Sequence, residues 1–211
     1  REAIDSVRYI SNSSSGKQAV EIAKAAKKAG ADMRFIAANI SIETNLPEKN
    51  IYRVESADEM FAQINDLLIE FKDNLQDIIF ISCAAVADYR TKDISETKIK
   101  KDELGEIDLK LIKNVDILTE IANGSQRPGV VIGFAAEDGK MLIENAKKKL
   151  VKKNCVIIVA NDIKGGKIFG SNSSDAYLIT KNKVSELGQV SKKEVAYRLV
   201  EGILELLESL F

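Results

Sequence analysis

The chain has 211 residues, with 31 basic and 32 acidic side chains and a net charge of −1. That is the length of one ordinary domain, with no electrostatic footprint for nucleic acid or a membrane surface. Histidine is absent, which excludes Ser-His-Asp and Cys-His catalysis and histidine-ligated zinc, and leaves Lys, Arg, Asn, Asp, Glu, backbone amides or an oxygen-held metal such as Mg²⁺ for any chemistry.

Taken in chain order, the first informative stretch is Arg8-Tyr9-Ile10-Ser11-Asn12-Ser13-Ser14-Ser15-Gly16-Lys17. An extended run passes into small hydroxyl residues, one glycine and then a helix, a junction that aims backbone N–H groups and positive helix-end charge at one spot suited to an anion. A plain Ser-rich helix cap is the alternative. It is not a Walker A loop, because Gly16-Lys17 is followed by Gln18 and no glycine stands five residues before Gly16. It is not GxGxxG either.

Ser15 to Gly30 is amphipathic, with a glycine stop, and predicts a helix. Met33 to Ala38 and Ile51 to Val54 predict strands. Ser56-Ala57-Asp58-Glu59 is a capping box opening a helix to about Phe71. Asp77 to Cys83 predicts a buried strand, and Ile107 to Ile112 alternates as a half-buried one. Asp116 to Ala122 predicts a short helix, and Val130 to Phe134 another buried strand. A lysine-rich helix over Leu142 to Lys153 leads into a strand over Cys155 to Ala160. Asp175 to Thr180 and Lys183 to Leu187 flank Lys181-Asn182 as a hairpin, and Ser191-Lys192-Lys193-Glu194 caps the last helix. Cys83 and Cys155 each lie in an apolar run and read as buried reduced thiols. No stretch is long and apolar enough to span a membrane and no signal peptide is visible, so a cytoplasmic protein is expected.

Strands alternate with helices, and the central strands are apolar on both faces. The expected fold class is α/β: a doubly wound, mostly parallel, Rossmann-like sheet with helices on both faces and a C-terminal hairpin. Ligands in such sheets bind beyond the carboxyl ends of the strands. The loops Ala84 to Arg90, Phe134 to Glu137 and Asn161-Asp162 should therefore gather at one edge. Lys92 to Glu106 is strongly charged and breaks the packed pattern. It reads either as a solvated charge run or as a mobile lid that delivers a lysine onto an anion. Lys149 and Lys153 are one helical turn apart, either a solvated face or a two-point phosphate clamp.

Several motifs then coincide. Arg1-Glu2-Ala3-Ile4-Asp5-Ser6-Val7-Arg8-Tyr9-Ile10-Ser11-Asn12, followed by Ser14-Ser15-Gly16-Lys17, resembles the opening of phosphopantothenoylcysteine synthetase (phosphopantothenate–cysteine ligase). In many bacteria that enzyme is the C-terminal half of the bifunctional coenzyme A biosynthesis flavoprotein. The likeness continues through Ala84-Ala85-Val86-Ala87-Asp88-Tyr89-Arg90, Lys98-Ile99-Lys100-Lys101 and Lys113-Asn114-Val115-Asp116-Ile117-Leu118. It ends with Gly133-Phe134-Ala135-Ala136-Glu137 and Val159-Ala160-Asn161-Asp162, so it covers nearly the whole chain as a single nucleotide-binding ligase domain over 1–211. Three features depart from the family. Its strand and Gly-Gly-Thr loop before the Arg-Glu pair are not in this sequence, Ser6 and Val115 stand where proline is frequent, and the flavin-dependent decarboxylase half is not included.

The resemblance implies joining 4′-phosphopantothenate to L-cysteine at the expense of CTP, with ATP the less favoured nucleotide, and with Mg²⁺ but no FMN. By family likeness Asn12 holds the acyl-nucleotide intermediate and Lys98 advances it to product. Nucleotide contacts are implied for Ser14, Ala84, Ala85, Asp88, Asn114, Val115, Asp116, Ile117, Leu118 and Phe134. Lys149 and Lys153 take the triphosphate, and Arg8 contacts substrate or is instead structural or serves a dimer contact. Asp88 and Glu137 are the carboxylates considered for the metal, whose ligands the sequence leaves open. A homodimer is implied, fused to or associated with a decarboxylase domain, with no nucleic acid or membrane partner. Two rival readings share the fold class: an NAD(P)-dependent oxidoreductase, against which stands the lack of a Gly-rich fingerprint, and a non-catalytic binding module.

Overall fold

The computed structural model describes residues 1–40, 46–100, 105–137, 139–162 and 173–209. In chain order the elements are β1 (Glu2–Ala3), β2 (Tyr9–Ile10), α1 (Lys17–Lys28), β3 (Phe35–Ala38), β4 (Ile51–Val54), α2 (Ala57–Glu70) and β5 (Ile79–Ser82). They continue with β6 (Tyr89–Thr91), β7 (Leu111–Lys113), α3 (Ile117–Asn123), β8 (Val130–Glu137), α4 (Leu142–Lys152), β9 (Ile157–Asp162), β10 (Ser173–Ile179), β11 (Val184–Ser191) and α5 (Lys192–Glu208).

Local chemistry sets the helix boundaries. The Ser56 hydroxyl accepts from the Glu59 N–H at 3.2 Å, and Ser191 does the same for Glu194 at 3.1 Å. Both are N-caps satisfying a first-turn donor. The Glu59 carboxylate reaches back to the Glu55 N–H, one residue beyond the usual box partner. The buried carboxylate of Glu2 accepts from the Ala57 N–H at 3.0 Å and ties the N-terminal hairpin to the same helix end.

The main sheet has five strands in the order β11-β10-β9-β8-β5. Pairings β5·β8 and β8·β9 are parallel; β9·β10 and β10·β11 are antiparallel. The sheet is therefore mixed, its last two strands being the predicted hairpin. Alternate residues of the central strands feed opposite cores. Val130, Ile132, Ile157 and Val159 pack with Ile22, Ala25, Val195, Leu199 and Ile203 of α1 and α5. Val131, Ala135, Ile158 and Ala160 pack with Leu118, Leu142, Ala146 and Leu150 of α3 and α4. Helices on both faces follow from that double-sided apolar pattern.

The sheet is interrupted on its other side. Among the described residues β3 pairs in parallel only with β4, and β5 only with β8. Between them lies an apolar cavity of about 1060 Å³, lined by Phe35 to Ala38, Ile79 to Ser82, α1, α2 and α5. β5, expected to be buried, is therefore only half-buried along its length. Cys83, on the same wall, is half-buried too, whereas Cys155 is buried as expected and its thiol is pushed up to about 11, burial being the main cause.

Three further expectations are corrected. The alternation over Ile107 to Ile112 yields only the three-residue β7, paired with β6, and Ile107, Leu109 and Leu111 are exposed. Among the described residues no core cluster includes that segment, so alternation there signals no burial. Phe134 to Glu137 and Asn161-Asp162 are not loops. β8 and β9 run on through them, with Glu137 opposite Asp162 in parallel register. Part of the predicted lid, residues 101–104, lies outside the described residues.

Gly129 opens β8 at a point of close approach. A Cβ there would lie 2.1 Å from the Gln76 carbonyl oxygen, and the Gly129 N–H donates to Leu75 O at 2.8 Å. Backbone meets backbone, so no side chain can swing aside. Gly129→Ala is expected to destabilise the fold by about 3 kcal/mol and lower Tm by roughly 10 °C, measured by thermal unfolding.

Candidate functional site at the carboxyl ends of the strands

Gly16 is the N-cap of α1, with φ of 72°, a conformation that favours glycine. A Cβ there would also meet Ile40 Cγ2 at 2.4 Å. The helix start carries no acidic residue in its first turn, and the Ser14 and Ser15 hydroxyls make only long contacts, 3.4 and 3.5 Å, to the Gly16 and Lys17 N–H groups. The plain serine cap is thus not what ends this helix; glycine does, leaving the hydroxyls at the mouth of the site.

Asn12 is exposed, and its amide donates to Val86 O at 2.9 Å, joining the Ser-rich strand end to the loop after β5. Asn114 closes that loop from the other side. Its N–H donates to Asp88 O at 2.9 Å, its amide donates to Ala87 O at 2.8 Å, and its Oδ1 accepts from Arg90 Nη1 at 2.9 Å. Ala84, Ala85 and Asp88 remain exposed on this loop. The methyl side chains of Ala84 and Ala85 offer no polar contact, so a ligand there would meet backbone.

Asn114 leads through Val115 to Asp116, the N-cap of α3, whose carboxylate accepts from the Thr119 N–H at 3.2 Å. The Lys153 ammonium pairs with the same carboxylate. Burial acts to raise the Asp116 pKa; the Lys153 and Thr119 hydrogen bonds outweigh it and leave the group below the ordinary carboxylate range. Ile117 and Leu118, predicted as nucleotide contacts, are buried with their side chains in the core, so only their backbone remains for a ligand. Val115 packs partly against the same core.

The Lys149 ammonium donates to Phe134 O at 2.9 Å, beside the Lys153–Asp116 pair. Burial, opposed by Glu137 and Asp116 and reinforced by Lys153, lowers its pKa below that of an ordinary lysine. Glu137 accepts from the Asn145 amide at 3.1 Å. Two cations, one partly desolvated, stand close together here, Lys149 on a backbone carbonyl and Lys153 on Asp116, a pairing whose positive potential would favour an anion. An anion that binds there favours the protonated Lys149. Affinity for a polyphosphate is therefore expected to be full below the lowered pKa and to weaken as pH rises through it. Titration calorimetry with CTP from about pH 7 to about pH 10 checks this, and Lys149→Arg should flatten the profile because guanidinium stays charged.

Arg8 and Lys98 lie apart from these contacts. The Arg8 guanidinium pairs with Asp5 and donates to Ile99 O at 2.8 Å, while Lys98 is exposed on the segment before Ile99. Arg8 is thus held by the protein itself in this structure. Sequence reasoning passed over Asp5, whose side chain is fully buried. Burial acts to raise its pKa, but N–H donors of Arg8, Val7 and Ile99 and the Arg8 side chain hold it well below the usual carboxylate range. A short acid followed by Ser6 at a turn was the available signal.

The arrangement is that of an α/β protein with a mixed sheet, a class in which ligands bind beyond the carboxyl ends of the parallel strands. The family described as the DNA/pantothenate metabolism flavoprotein C-terminal domain matches residues 1–207, and the chain belongs to it. The coenzyme A biosynthesis bifunctional protein CoaBC of Haemophilus influenzae is 42% identical over 207 residues, 97% of this chain and 49% of that protein. The CoaBC protein of Borreliella burgdorferi is 38% identical over 201 residues, 95% of this chain and 49% of the relative. The chain therefore spans about half the length of the curated relatives it matches. A crystal structure of the C-terminal domain of CoaBC aligns with a TM-score of 0.73 at 32% identity, covering 99% of this chain and 91% of that one. A Cab2 mutant in complex with phosphopantothenate-cysteine shares the fold at a TM-score of 0.66 and 12% identity, covering 100% of this chain and 85% of that one. No helix among the described residues is long and apolar enough to cross a membrane.

Proposed function

We propose that this chain is the ligase domain that joins 4′-phosphopantothenate to L-cysteine in coenzyme A biosynthesis, with CTP converted to CMP and pyrophosphate. The observation that carries the reading is one edge of the sheet where Asn12, the Ala84–Asp88 loop, Asn114, Lys149 and Lys153 converge, in a chain matched over residues 1–207 by a pantothenate-metabolism family. A carboxylate is a poor acyl donor because oxide is a poor leaving group. Attack of the substrate carboxylate on the α-phosphate expels pyrophosphate and gives an acyl-cytidylate. The cysteine amine then attacks the acyl carbon, losing a proton as the amide forms and CMP departs, so two easier steps replace one hard one.

In this reading Lys149 and Lys153 receive the triphosphate, Lys153 exchanging its Asp116 partner for phosphate. Asn12 donates to the acyl-nucleotide, and Lys98 offsets the charge that develops as the amide forms. Asp88, Asn114, Val115, Asp116, Phe134, Ser14, Ala84 and Ala85 line the nucleotide, with Ile117 and Leu118 contributing backbone only. Among the described residues no three His, Cys, Asp or Glu side chains gather to hold a metal. Mg²⁺ is assigned in this reading to the nucleotide as its counter-ion.

We further assign the cavity between β3 and β5 to a parallel strand contributed by polypeptide ahead of Arg1, since two open parallel edges with apolar walls satisfy such a strand's backbone and side chains. The exposed Tyr9, Tyr89, Leu109 and Leu111 on and beside the two small hairpins support a homodimer contact there. A flavin-dependent decarboxylase domain is the proposed fused or associated partner. Mass spectrometry of the protein with 4′-phosphopantothenate, L-cysteine, Mg²⁺ and CTP or ATP tests the function. Phosphopantothenoylcysteine with CMP is expected; AMP with the same product would reverse the nucleotide; no product and no acyl-nucleotide with either would overturn the ligase reading.

A further inference from the structure

The segment bearing Lys98 is fastened to the N-terminal hairpin at three points. Thr91 Oγ1 donates to Ala3 O, the Ser95 N–H donates to Ile4 O at 3.1 Å, and Ile99 is gripped through both of its backbone polar groups. The Ile99 N–H donates to Asp5 Oδ2 at 3.1 Å, and Ile99 O accepts from Arg8 Nη2 at 2.8 Å. The same Asp5 carboxylate accepts from the Val7 and Arg8 N–H groups through Oδ1, at 2.8 and 2.7 Å, and from Arg8 Nε through Oδ2 at 2.8 Å. One buried acid thus shapes the turn between β1 and β2, orients Arg8, and holds the residue next to Lys98. β2 runs directly from that turn to Ser11 and Asn12.

We propose that Asp5 is a positioning residue for the ligase reaction: by fixing the Ile99 backbone it sets Lys98 relative to the strand end that carries Asn12. The inference rests on the roles proposed above for Asn12 and Lys98. Asp5 touches neither substrate nor nucleotide in this account. It acts by removing freedom from a charged, exposed stretch that has little core contact of its own, which is how a distant group affects a step demanding close placement.

Asp5→Asn tests it in the whole chain. The amide keeps one acceptor for Val7 and Arg8 but turns an NH₂ toward two donors, Arg8 Nε and the Ile99 N–H. Product formation is expected to fall at least about tenfold, with acyl-nucleotide accumulating and KM for the nucleotide changing less than about threefold. In a Lys98→Gln background the same change is expected to add no further loss, because both act through one group. Losses that multiply, or wild-type turnover in Asp5→Asn, would overturn the proposal. Asp5→Ser is the second variant: a hydroxyl still serves the turn yet is too short to reach Ile99, so it isolates the tether if Asp5→Asn fails to fold. Hydrogen exchange of the Ile99 amide, slow in wild type and fast in either variant, reads the tether without any turnover. A fast amide in wild type would overturn the proposal, whereas an inactive wild type with a slow amide would instead defeat the ligase reading.

Discussion

Asn12→Asp is expected to lower phosphopantothenoylcysteine formation at least about a hundredfold while leaving Tm within a few degrees of wild type. The side chain is exposed and its amide donates to Val86 O. A carboxylate of the same size sets oxygen against oxygen, loses that hydrogen bond, and detaches the Ser-rich strand end from the loop carrying Ala84, Ala85 and Asp88. In the proposed reading it also places negative charge beside the triphosphate and the acyl phosphate. Loss of one preorganised donor to a developing charge costs about 2.7–4 kcal/mol, about a hundred- to a thousandfold in rate. The loss in hydrogen bonding alone is about 1 kcal/mol and falls on an exposed group, which is why stability is spared. Rapid-quench assay of product and acyl-nucleotide, beside thermal unfolding, checks both halves. Wild-type turnover in this variant would remove Asn12 from the chemistry.

What was legible in the sequence was what local chemistry decides. Ser56 and Ser191 act within three residues of their partners, so their caps could be read directly, as could Gly30 just past the carboxyl end of α1 and the apolar runs of β8 and β9. The two-sided apolar pattern gave the layered α/β arrangement because each face must find a helix. The half-buried state of β5 could not be read, since it depends on which strand lies beside it rather than on its own residues. Ile107 to Ile112 misled for a related reason: alternation marks a strand only where one face meets a core, and here the apolar side chains are exposed. Phe134 to Glu137 resembled a loop because small residues and a carboxylate end the run, yet pairing with Asn161 and Asp162 carries the strand onward.

The site divides in the same way. Lys149 and Lys153 were visible as a helical pair, but their inward partners, Phe134 O and Asp116, come from other elements. Ile117 and Leu118 were placed at the ligand by position in a motif; packing turns their side chains into the core. Asp5 escaped notice because its decisive partner, Ile99, lies 94 residues away. A motif identifies the residues along the chain, whereas the grip on Lys98 exists only once two distant segments meet.

Lys98→Gln is expected to show the largest effect, about a thousandfold loss of product formation with retained fold and with acyl-nucleotide accumulating toward one per site. Glutamine keeps much of the length and polarity, so what is removed is the positive charge. In the proposed reaction that charge acts in the second step. As the cysteine amine attacks, negative charge gathers on the carbonyl oxygen and on the departing phosphate, and an ammonium covered from bulk water by the bound substrates would stabilise it far better than in solvent. The ordinary lysine face would be worth little, since exposed ion pairs contribute at most about 1 kcal/mol. The tether at Ile99 is what makes a stronger effect attainable, because it fixes the backbone next to an exposed cation. Trapping with hydroxylamine discriminates the steps, since a mixed anhydride yields a hydroxamate and an unactivated carboxylate does not. Hydroxamate in amounts near the enzyme concentration is the expected result. Loss of turnover without hydroxamate would move Lys98 out of the second step, and undiminished turnover would make the Lys92 to Lys100 segment a solvated charge run after all.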